Sequence, residues 1–290
     1  MNIPSFIIYS LLLANLTLSS AMTQAQTVLP NPEVLPTFNH VMVIVFENTS
    51  YSSALNQSYF SKLASDGALF TSFMAVAHPS QPNYIAMVGG DTLGVHGDGN
   101  VNLDQSHLGT LLNAKGLSWK IYAEDLPGTC FLGKTSGLYA RKHVPLISFT
   151  NVQSNPSECA KIVNADELKT DLANHALPTY SMYIPNLNHD GHDTGVAYSN
   201  TWFEGAFKDI FSRSDVMKDT LFVITFDESE NLLGKNQVFT VLYGANVMPG
   251  SKVNATLNHY SVLKMIEDRF QLGNLGRKDL TATPITGIWQ

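Results

Sequence analysis

The chain has 290 residues, of which 44% are apolar and 14% are charged, a composition typical of a globular protein. This length is enough to bury the core of one large α/β domain. The formal net charge is −7, and no basic stripe or basic amphipathic face is visible. These features argue against nucleic acid as a partner and against electrostatic binding to a membrane surface.

The N-terminal segment predicts export. Residues Phe6 to Leu18 form an apolar stretch too short to cross a bilayer, and small residues follow, with candidate cleavage sites near Ala21 or Ala25. A buried N-terminal helix is the alternative, because the first five residues contain no Lys or Arg. Later apolar stretches fall short of the roughly 18–20 residues needed to span a membrane, so no stable membrane insertion is expected. We therefore predict a signal peptide over residues 1–25, a single domain over 26–290, and a secreted or periplasmic protein.

Two strongly apolar segments dominate the pattern that follows. His40–Phe46 and Leu221–Phe226 are continuous apolar, β-branched runs, which is typical of strands buried on both faces of a parallel sheet. Strands alternate with helices along the chain, and this alternation predicts an α/β fold with a mainly parallel central sheet and helices on both faces. The other predicted strands cover 68–77, 119–123, 179–184 and 237–243, and the predicted helices cover 56–65, 82–88, 110–114, 165–175, 202–211 and 260–271.

The middle of the chain is less regular. Residues 124–158 are rich in Gly, Pro, Ser and Asn and lack periodicity, so we interpret them as a long covering loop or lid. The two cysteines of the chain, Cys130 and Cys159, do not have a metal-ligand spacing. In an exported protein such a pair predicts a disulfide, which would close a loop of about 30 residues.

A serine lies between the predicted strand 68–77 and the helix that follows it. Pro82 suits the first turn of this helix, which places Ser80 beside unpaired N–H groups at the positive end of the helix dipole. That location favours a phosphate or another oxyanion. On position alone, an N-cap role for Ser80 is favoured over a nucleophilic role.

Polar residues follow both of the buried strands. Glu47 and Asn48 follow the first strand, while Asp227 and Glu228 follow the second. Ligands of open α/β sheets bind at the carboxyl ends of the strands, so these side chains are expected to converge there together with Ser80. An oxygen-rich set of this kind suits Mg, Ca or Mn, and nearby histidines leave zinc possible as well.

The order of these motifs resembles the phosphoesterase family, which groups secreted acid phosphatases with bacterial phospholipases C inside the alkaline phosphatase superfamily. The resemblance extends from about residue 40 to residue 270 and implies an alkaline-phosphatase-like fold. It is carried by Phe46-Glu47-Asn48, His78-Pro79-Ser80-Gln81-Pro82-Asn83-Tyr84, Asn188 to Thr194, Phe226-Asp227-Glu228 and Asn258-His259-Tyr260-Ser261.

The resemblance implies a role for each matching residue. Ser80 would be the nucleophile and would contact a divalent metal ion held by Glu47, Asn48, Asp227 and Glu228. His192 or His259 would protonate the leaving alcohol, since imidazole titrates near the working pH. Asn188 and Asp193 would contact the substrate. His78 either lines the same pocket or packs within its turn.

Several functions remain open on the sequence alone. The resemblance implies a metal-dependent acid phosphatase that hydrolyses small phosphomonoesters through a phosphoserine. The residues after Glu228, Ser229-Glu230, match the acid phosphatase branch better than the phospholipase branch. A phospholipase C-like phosphodiesterase on the same scaffold is the main alternative. A sulfatase is disfavoured because Tyr84 stands where the maturation motif requires Arg. A non-catalytic metal-binding protein is disfavoured because the nucleophile and the acidic residues are all present.

Overall fold

The computed structural model describes Met1 and residues 37–290. From residue 37 onward these residues belong to one structural unit that extends from Val34 to Gln290. The predicted signal peptide and its cleavage site lie outside the described residues, apart from Met1. Among the described residues, no helix has both the length and the apolar character required to cross a membrane.

The strands and helices alternate as the sequence pattern predicts. The strands are β1 (His40–Phe46), β2 (Ala68–Phe70), β3 (Phe73–Met74), β4 (Trp119–Ala123), β5 (Thr135–Ser136), β6 (Tyr139–Ala140), β7 (Ile162–Asn164), β8 (Tyr180–Ile184), β9 (Thr220–Phe226), β10 (Thr240–Gly244), β11 (Ser251–Val253) and β12 (Leu257–Asn258). The α-helices are α1 (Tyr51–Leu55), α2 (Ser58–Asp66), α3 (Ser80–Gly89), α4 (Leu108–Ala114), α5 (Thr150–Gln153), α6 (Pro156–Cys159), α7 (Glu167–Ala173), α8 (Val196–Phe211), α9 (Ser214–Met217) and α10 (His259–Arg269).

Eight of these strands form the central sheet, in the spatial order β11-β2-β10-β9-β1-β8-β4-β7. Strand β1 pairs in parallel with both β8 and β9, whereas β10 runs antiparallel to its two neighbours. The predicted α/β fold with a mainly parallel sheet is therefore confirmed. Since β1 and β9 lie in the interior of the sheet, both of their faces are covered, and this explains their continuous apolar sequences.

The pairing of β1 with β9 determines where the polar residues leave the sheet. Phe46 is the register partner of Phe226, so Glu47 and Asp227 emerge side by side. The Phe46 ring packs against Phe226 and against Phe60 of α2, with centroid distances of 5.4 Å and 5.1 Å. These contacts fix the strand ends that carry both carboxylates.

The segment 124–158 differs from its prediction. It holds the hairpin β5–β6, two 3-10 helices (Arg141–His143 and Pro145–Ser148) and the short helices α5 and α6. Its apolar run from Val144 to Phe149 is fully buried, so the interpretation as a covering loop or lid is wrong for this part of the segment. Residues 139–149 form a packed wall of the domain, whereas residues 124–138 are exposed or half-buried. The predicted disulfide between Cys130 and Cys159 is confirmed.

The turn before α3 also differs from its prediction. Instead of one strand over 68–77, the chain forms β2 and β3, and the residues after β3 leave the ladder because a side chain satisfies their backbone groups. Asn83 Oδ1 accepts hydrogen bonds from the N–H groups of Val76 and Ala77, each at 3.0 Å, and Asn83 Nδ2 donates to the Ala77 carbonyl at 2.9 Å. This arrangement fixes the approach of the chain to Ser80.

Candidate active site

Ser80 is the first residue of α3, and its N-cap is Pro79. Its hydroxyl makes no capping hydrogen bond, so the N-cap interpretation is wrong. Ser80 Oγ instead lies 2.9 Å from Glu47 Oε2 and 3.2 Å from Glu228 Oε1. A hydroxyl carries one proton, so it donates to one carboxylate at a time. The side chain is therefore directed at acidic groups and away from the helix backbone.

Two of the first positions of α3 offer no free N–H group to a phosphate. The N–H of Gln81 donates to Asp98 Oδ1 at 3.0 Å, and Pro82 has no N–H group. The Gln81 side chain in turn accepts from the N–H of Gly99 at 2.7 Å. The Asp98 carboxylate thus accepts a hydrogen bond from the Gln81 amide, which was expected to bind an oxyanion.

Glu47 and Asp227 form the buried floor of the site, each with 0% of its surface exposed. The Asp227 N–H donates to the Phe46 carbonyl at 2.9 Å, which continues the pairing of β1 with β9 by one residue. Asn48 has a φ of 47°, a left-handed conformation that Asn tolerates, and its N–H donates to Asp227 Oδ1 at 3.0 Å. Asn48 Nδ2 donates to Glu47 Oε2 at 3.1 Å. The structure thereby brings together Ser80, Glu228 and these three residues.

Three residues that sequence reasoning did not assign complete the cluster. Glu47 Oε1 accepts from the hydroxyl of Tyr84 at 2.7 Å and lies 3.1 Å from His143 Nε2. His143 Nδ1 lies 3.4 Å from Asp190 Oδ2, and the Glu47 N–H donates to the Asp190 carbonyl at 3.0 Å. Asp190 belongs to the motif 188–194, so the sequence did indicate that it lies near the site. His143 belongs to the segment interpreted as a lid, and no motif marked it.

The electrostatics of this cluster are unfavourable for ionised carboxylates without a cation. Burial, followed by the charge of Asp190, raises the pKa of Glu47 to about 8, and burial raises the pKa of Asp190 to about 7. Burial also raises the pKa of Asp227 well above its usual range and lowers that of His143. Buried charges of one sign are costly unless they are paired or coordinate a metal.

The unpaired atoms of the cluster fit a divalent cation. Asp227 Oδ2, Asp190 Oδ2 and His143 Nε2 are buried and make no well-aligned hydrogen bond among the described residues, although two of them lie near the polar atoms given above. Ligand atoms of Glu47, His143 and Asp190 all lie within 4.8 Å of one another. Carboxylates suit hard cations, and the added imidazole also suits Zn or Mn. Glu47 therefore belongs to a potential ligand group with His143 and Asp190, and its other oxygen contacts Ser80.

The remaining predicted residues lie around this cluster. His192 is one-third exposed at its side chain, its Nδ1 lies 2.7 Å from Asp193 Oδ1, and its ring centroid lies 6.1 Å from that of His143. Asn188 shapes the loop, since its N–H donates to Asn186 Oδ1 at 3.1 Å. His78 Nδ1 is hydrogen bonded to Glu228.

His259 has a different position from the one that an acid catalyst requires. It is the first residue of α10, is 1% exposed, and donates from Nε2 to the Asp227 carbonyl at 2.9 Å. Burial lowers its pKa to about 4, so the ring is neutral at higher pH. The expectation that His259 protonates a leaving alcohol does not agree with this geometry. We interpret it as a residue that positions Asp227.

The fold and the site together define a hydrolase-like arrangement, in which a serine hydroxyl faces buried carboxylates at the carboxyl edge of a parallel sheet. A model of the Phosphoesterase family matches residues 53–273. The chain is 36% identical over 265 residues to a phosphatidylinositol-3-phosphatase of Mycobacterium tuberculosis, with 88% of this chain and 84% of that protein covered. The chain belongs to the Phosphoesterase family, as its motifs suggested.

Two further similarities extend this result. The chain is 36% identical over 254 residues to a probable acid phosphatase of Kluyveromyces lactis, with 83% of this chain covered but 60% of the fungal protein. A solved protein of the alkaline phosphatase superfamily from Vibrio parahaemolyticus superposes with a TM-score of 0.56 at 14% identity, covering 87% of this chain and 72% of that one. This second similarity concerns the fold alone and confirms the predicted alkaline-phosphatase-like architecture.

Proposed function

We propose that the protein is a metal-dependent acid phosphatase that hydrolyses phosphomonoesters through a phosphoserine on Ser80. The observation that carries this proposal is the position of Ser80 Oγ between Glu47 and Glu228, in a buried acidic cluster with unpaired ligand atoms. Glu47, Asn48, Ser80, Asp227 and Glu228 would hold a divalent cation, and His143 and Asp190 would extend the site. When bound, the cation supplies Lewis acidity that lowers the pKa of a hydroxyl and polarises a phosphoryl oxygen.

The residues of the chain can account for each proton. Ser80 Oγ loses its proton to one of the two carboxylates it contacts, and Glu228 is held by His78 on its other oxygen. Oγ then bonds to phosphorus while the bond from phosphorus to the leaving oxygen breaks. His192, held by Asp193, donates a proton to that oxygen. Water next attacks phosphorus while the bond from phosphorus to Ser80 Oγ breaks and phosphate leaves. His192, having given up its proton, takes one from that water, and the carboxylate returns its proton to Oγ, so both groups are restored.

The same machinery would also serve a phosphodiesterase, and this remains the second candidate. The monoester is favoured because the relatives described above are named as phosphatases. Asn188 and Asp193 stay as proposed substrate contacts, since both belong to the loop that carries Asp190.

The decisive experiment is an assay of matched phosphomonoesters and phosphodiesters after chelation and after return of Mg, Ca, Mn or Zn. We expect monoester hydrolysis that disappears with chelator, returns with metal, and falls by several orders of magnitude in Ser80→Ala. Ser181→Ala is the matched control, because Ser181 is also buried and its hydroxyl donates to the Val41 carbonyl away from the cluster. Near-normal turnover by Ser80→Ala, or full activity in chelator, would overturn the proposal.

We also propose that the protein acts outside the cytoplasm. The disulfide between Cys130 and Cys159 supports this, because such bonds persist in oxidising compartments. The test is to fractionate the source cells and to determine the N-terminal residue of the mature protein. Protein that is confined to the cytoplasm and begins at Met1 would refute this location.

A further inference from the structure

The candidate site contains little positive charge for an anionic substrate. Its floor consists of the buried carboxylates of Glu47, Asp190, Asp227 and Glu228. A phosphomonoester in its dianionic form adds two more negative charges, and the amide of Gln81 at the start of α3 is already bonded to Asp98. A cationic side chain would complement the remaining charge of the substrate, beside the divalent cation of the proposed function.

Lys142 is placed to supply that charge. It immediately precedes His143, whose Nε2 lies 3.1 Å from Glu47 Oε1. Its Nζ lies 2.8 Å from Asp98 Oδ2, and the other oxygen of Asp98 accepts from the N–H of Gln81, the residue after Ser80. Two hydrogen bonds through Asp98 therefore link the Lys142 ammonium to the backbone amide of Gln81. It also acts electrostatically on Glu47 and Asp227.

The ammonium group retains capacity for a ligand. Lys has three N–H donors, and among the described residues the hydrogen bond to Asp98 is the one found for Lys142. Its side chain is 21% exposed and lines a cavity of about 110 Å³ together with His192, Lys134, Asn100 and Leu187. The proposed proton donor and Lys142 therefore share one cavity, and Lys142 is linked to the serine turn through Asp98.

We propose that Lys142, positioned by Asp98, binds a phosphate oxygen of the substrate and thereby favours dianionic phosphomonoesters over monoanionic diesters. The proposal rests on the proposed function, since it names the substrate class of the same site. Its physical basis is that a fixed positive charge attracts a dianion more strongly than a monoanion at the same distance. In a partly buried site this difference is not fully screened by salt.

The first test measures binding separately from turnover. Inorganic phosphate is titrated calorimetrically into the metal-loaded wild type, Lys142→Gln and Lys142→Arg. A charged hydrogen bond predicts that Lys142→Gln raises the phosphate Kd by about 10- to 100-fold, and that Lys142→Arg restores much of the loss. An unchanged Kd in Lys142→Gln would overturn the proposal.

The second test measures the preference between substrates. The ratio of kcat/KM for a phosphomonoester to kcat/KM for the matched diester should fall at least about 10-fold in Lys142→Gln, mainly through KM for the monoester. Lys120→Gln is the matched control, because Lys120 also has a 21% exposed side chain and pairs with a carboxylate, Asp171, away from the site. If Lys142 has only a structural role, Lys142→Gln should lose as much thermal stability as Lys120→Gln. The ratio of kcat/KM between the monoester and the diester should then stay unchanged.

The two proposals fail in different ways. If the wild type binds phosphate through Lys142 but hydrolyses no ester, the proposed function is wrong and the role of Lys142 in binding stands. If the wild type hydrolyses monoesters and Lys142→Gln keeps both the phosphate Kd and the monoester preference, the proposed function stands and the role of Lys142 is refuted.

Discussion

The disulfide between Cys130 and Cys159 gives a prediction whose size follows from the structure. The two residues are 29 positions apart. In the chain-entropy model, a loop of that length lowers the entropy of the unfolded state by about 12 cal/mol/K, which is about 3.6 kcal/mol at 25 °C. For a domain of this size, each kcal/mol shifts Tm by roughly 2–4 °C. The double variant Cys130→Ala/Cys159→Ala should therefore melt about 7–14 °C below the oxidised wild type.

The bridged loop also carries functional residues, so its loss should reach the candidate site. Lys142 and His143 belong to the loop, and the buried run from Val144 to Phe149 anchors it independently of the bridge. We expect the double variant to fold and to be active at 25 °C. On heating, its activity should be lost at a lower temperature than its far-ultraviolet circular dichroism, because the loop loses order before the sheet does.

The assay combines urea titration, thermal melting and turnover on the oxidised wild type, the double variant and the wild type reduced with a thiol reagent. The reduced wild type is the control for effects of the alanine side chains. If the reduced wild type and the double variant both unfold at the same urea concentration as the oxidised protein, the entropic reasoning is wrong. If the double variant loses its activity and its circular dichroism signal at the same temperature, the loop does not lose order before the sheet and that expectation is wrong.

Three further predictions concern individual side chains. Asp227→Asn and His143→Gln should each weaken metal binding at least about 10-fold, measured by calorimetric titration, and unchanged affinity in both would contradict the metal site. His259→Gln should lower kcat but leave the shape of the pH–rate profile unchanged, since His259 positions Asp227; loss of one limb would restore its role as an acid. Burial and the neighbouring Asp279 raise the pKa of Glu267 from 4.5 to about 8, so the folded state holds this proton more tightly and stability falls as pH rises from 4.5 through 8. Glu267→Gln should reduce this decline by up to about 1.4 kcal/mol per pH unit, measured by urea unfolding at several pH values, and an unaltered slope would refute the assignment.

The sequence predicted the central sheet well because burial on both faces leaves a strong pattern. The strand β1 has the predicted bounds, and β9 begins one residue before its prediction. Residues that directly follow such strands lie together at the carboxyl edge of the sheet. The convergence of Glu47 and Asp227 could therefore be inferred without knowledge of any side-chain contact.

The sequence pattern gives little indication of a residue's position where that position depends on packing between distant segments. His143 reaches Glu47 from a stretch whose Gly, Pro and Asn content suggested an exposed lid. The apolar run from Val144 to Phe149 was the available signal that this stretch enters the core. The occupation of the Gln81 amide at the start of α3 has a related cause, since its partner Asp98 comes from a distant loop.

The register between β1 and β9 links the stability of the fold to the chemistry of the site. The aligned partners Phe46 and Phe226 each direct the next residue, Glu47 or Asp227, into the same buried cluster. A shift of one residue in a strand turns every side chain to the opposite face of the sheet. The buried rings of Phe46, Phe226 and Phe60 would then lose their contacts, so the core opposes such a shift. The aromatic packing that stabilises the sheet therefore also keeps Glu47 and Asp227 side by side at its edge.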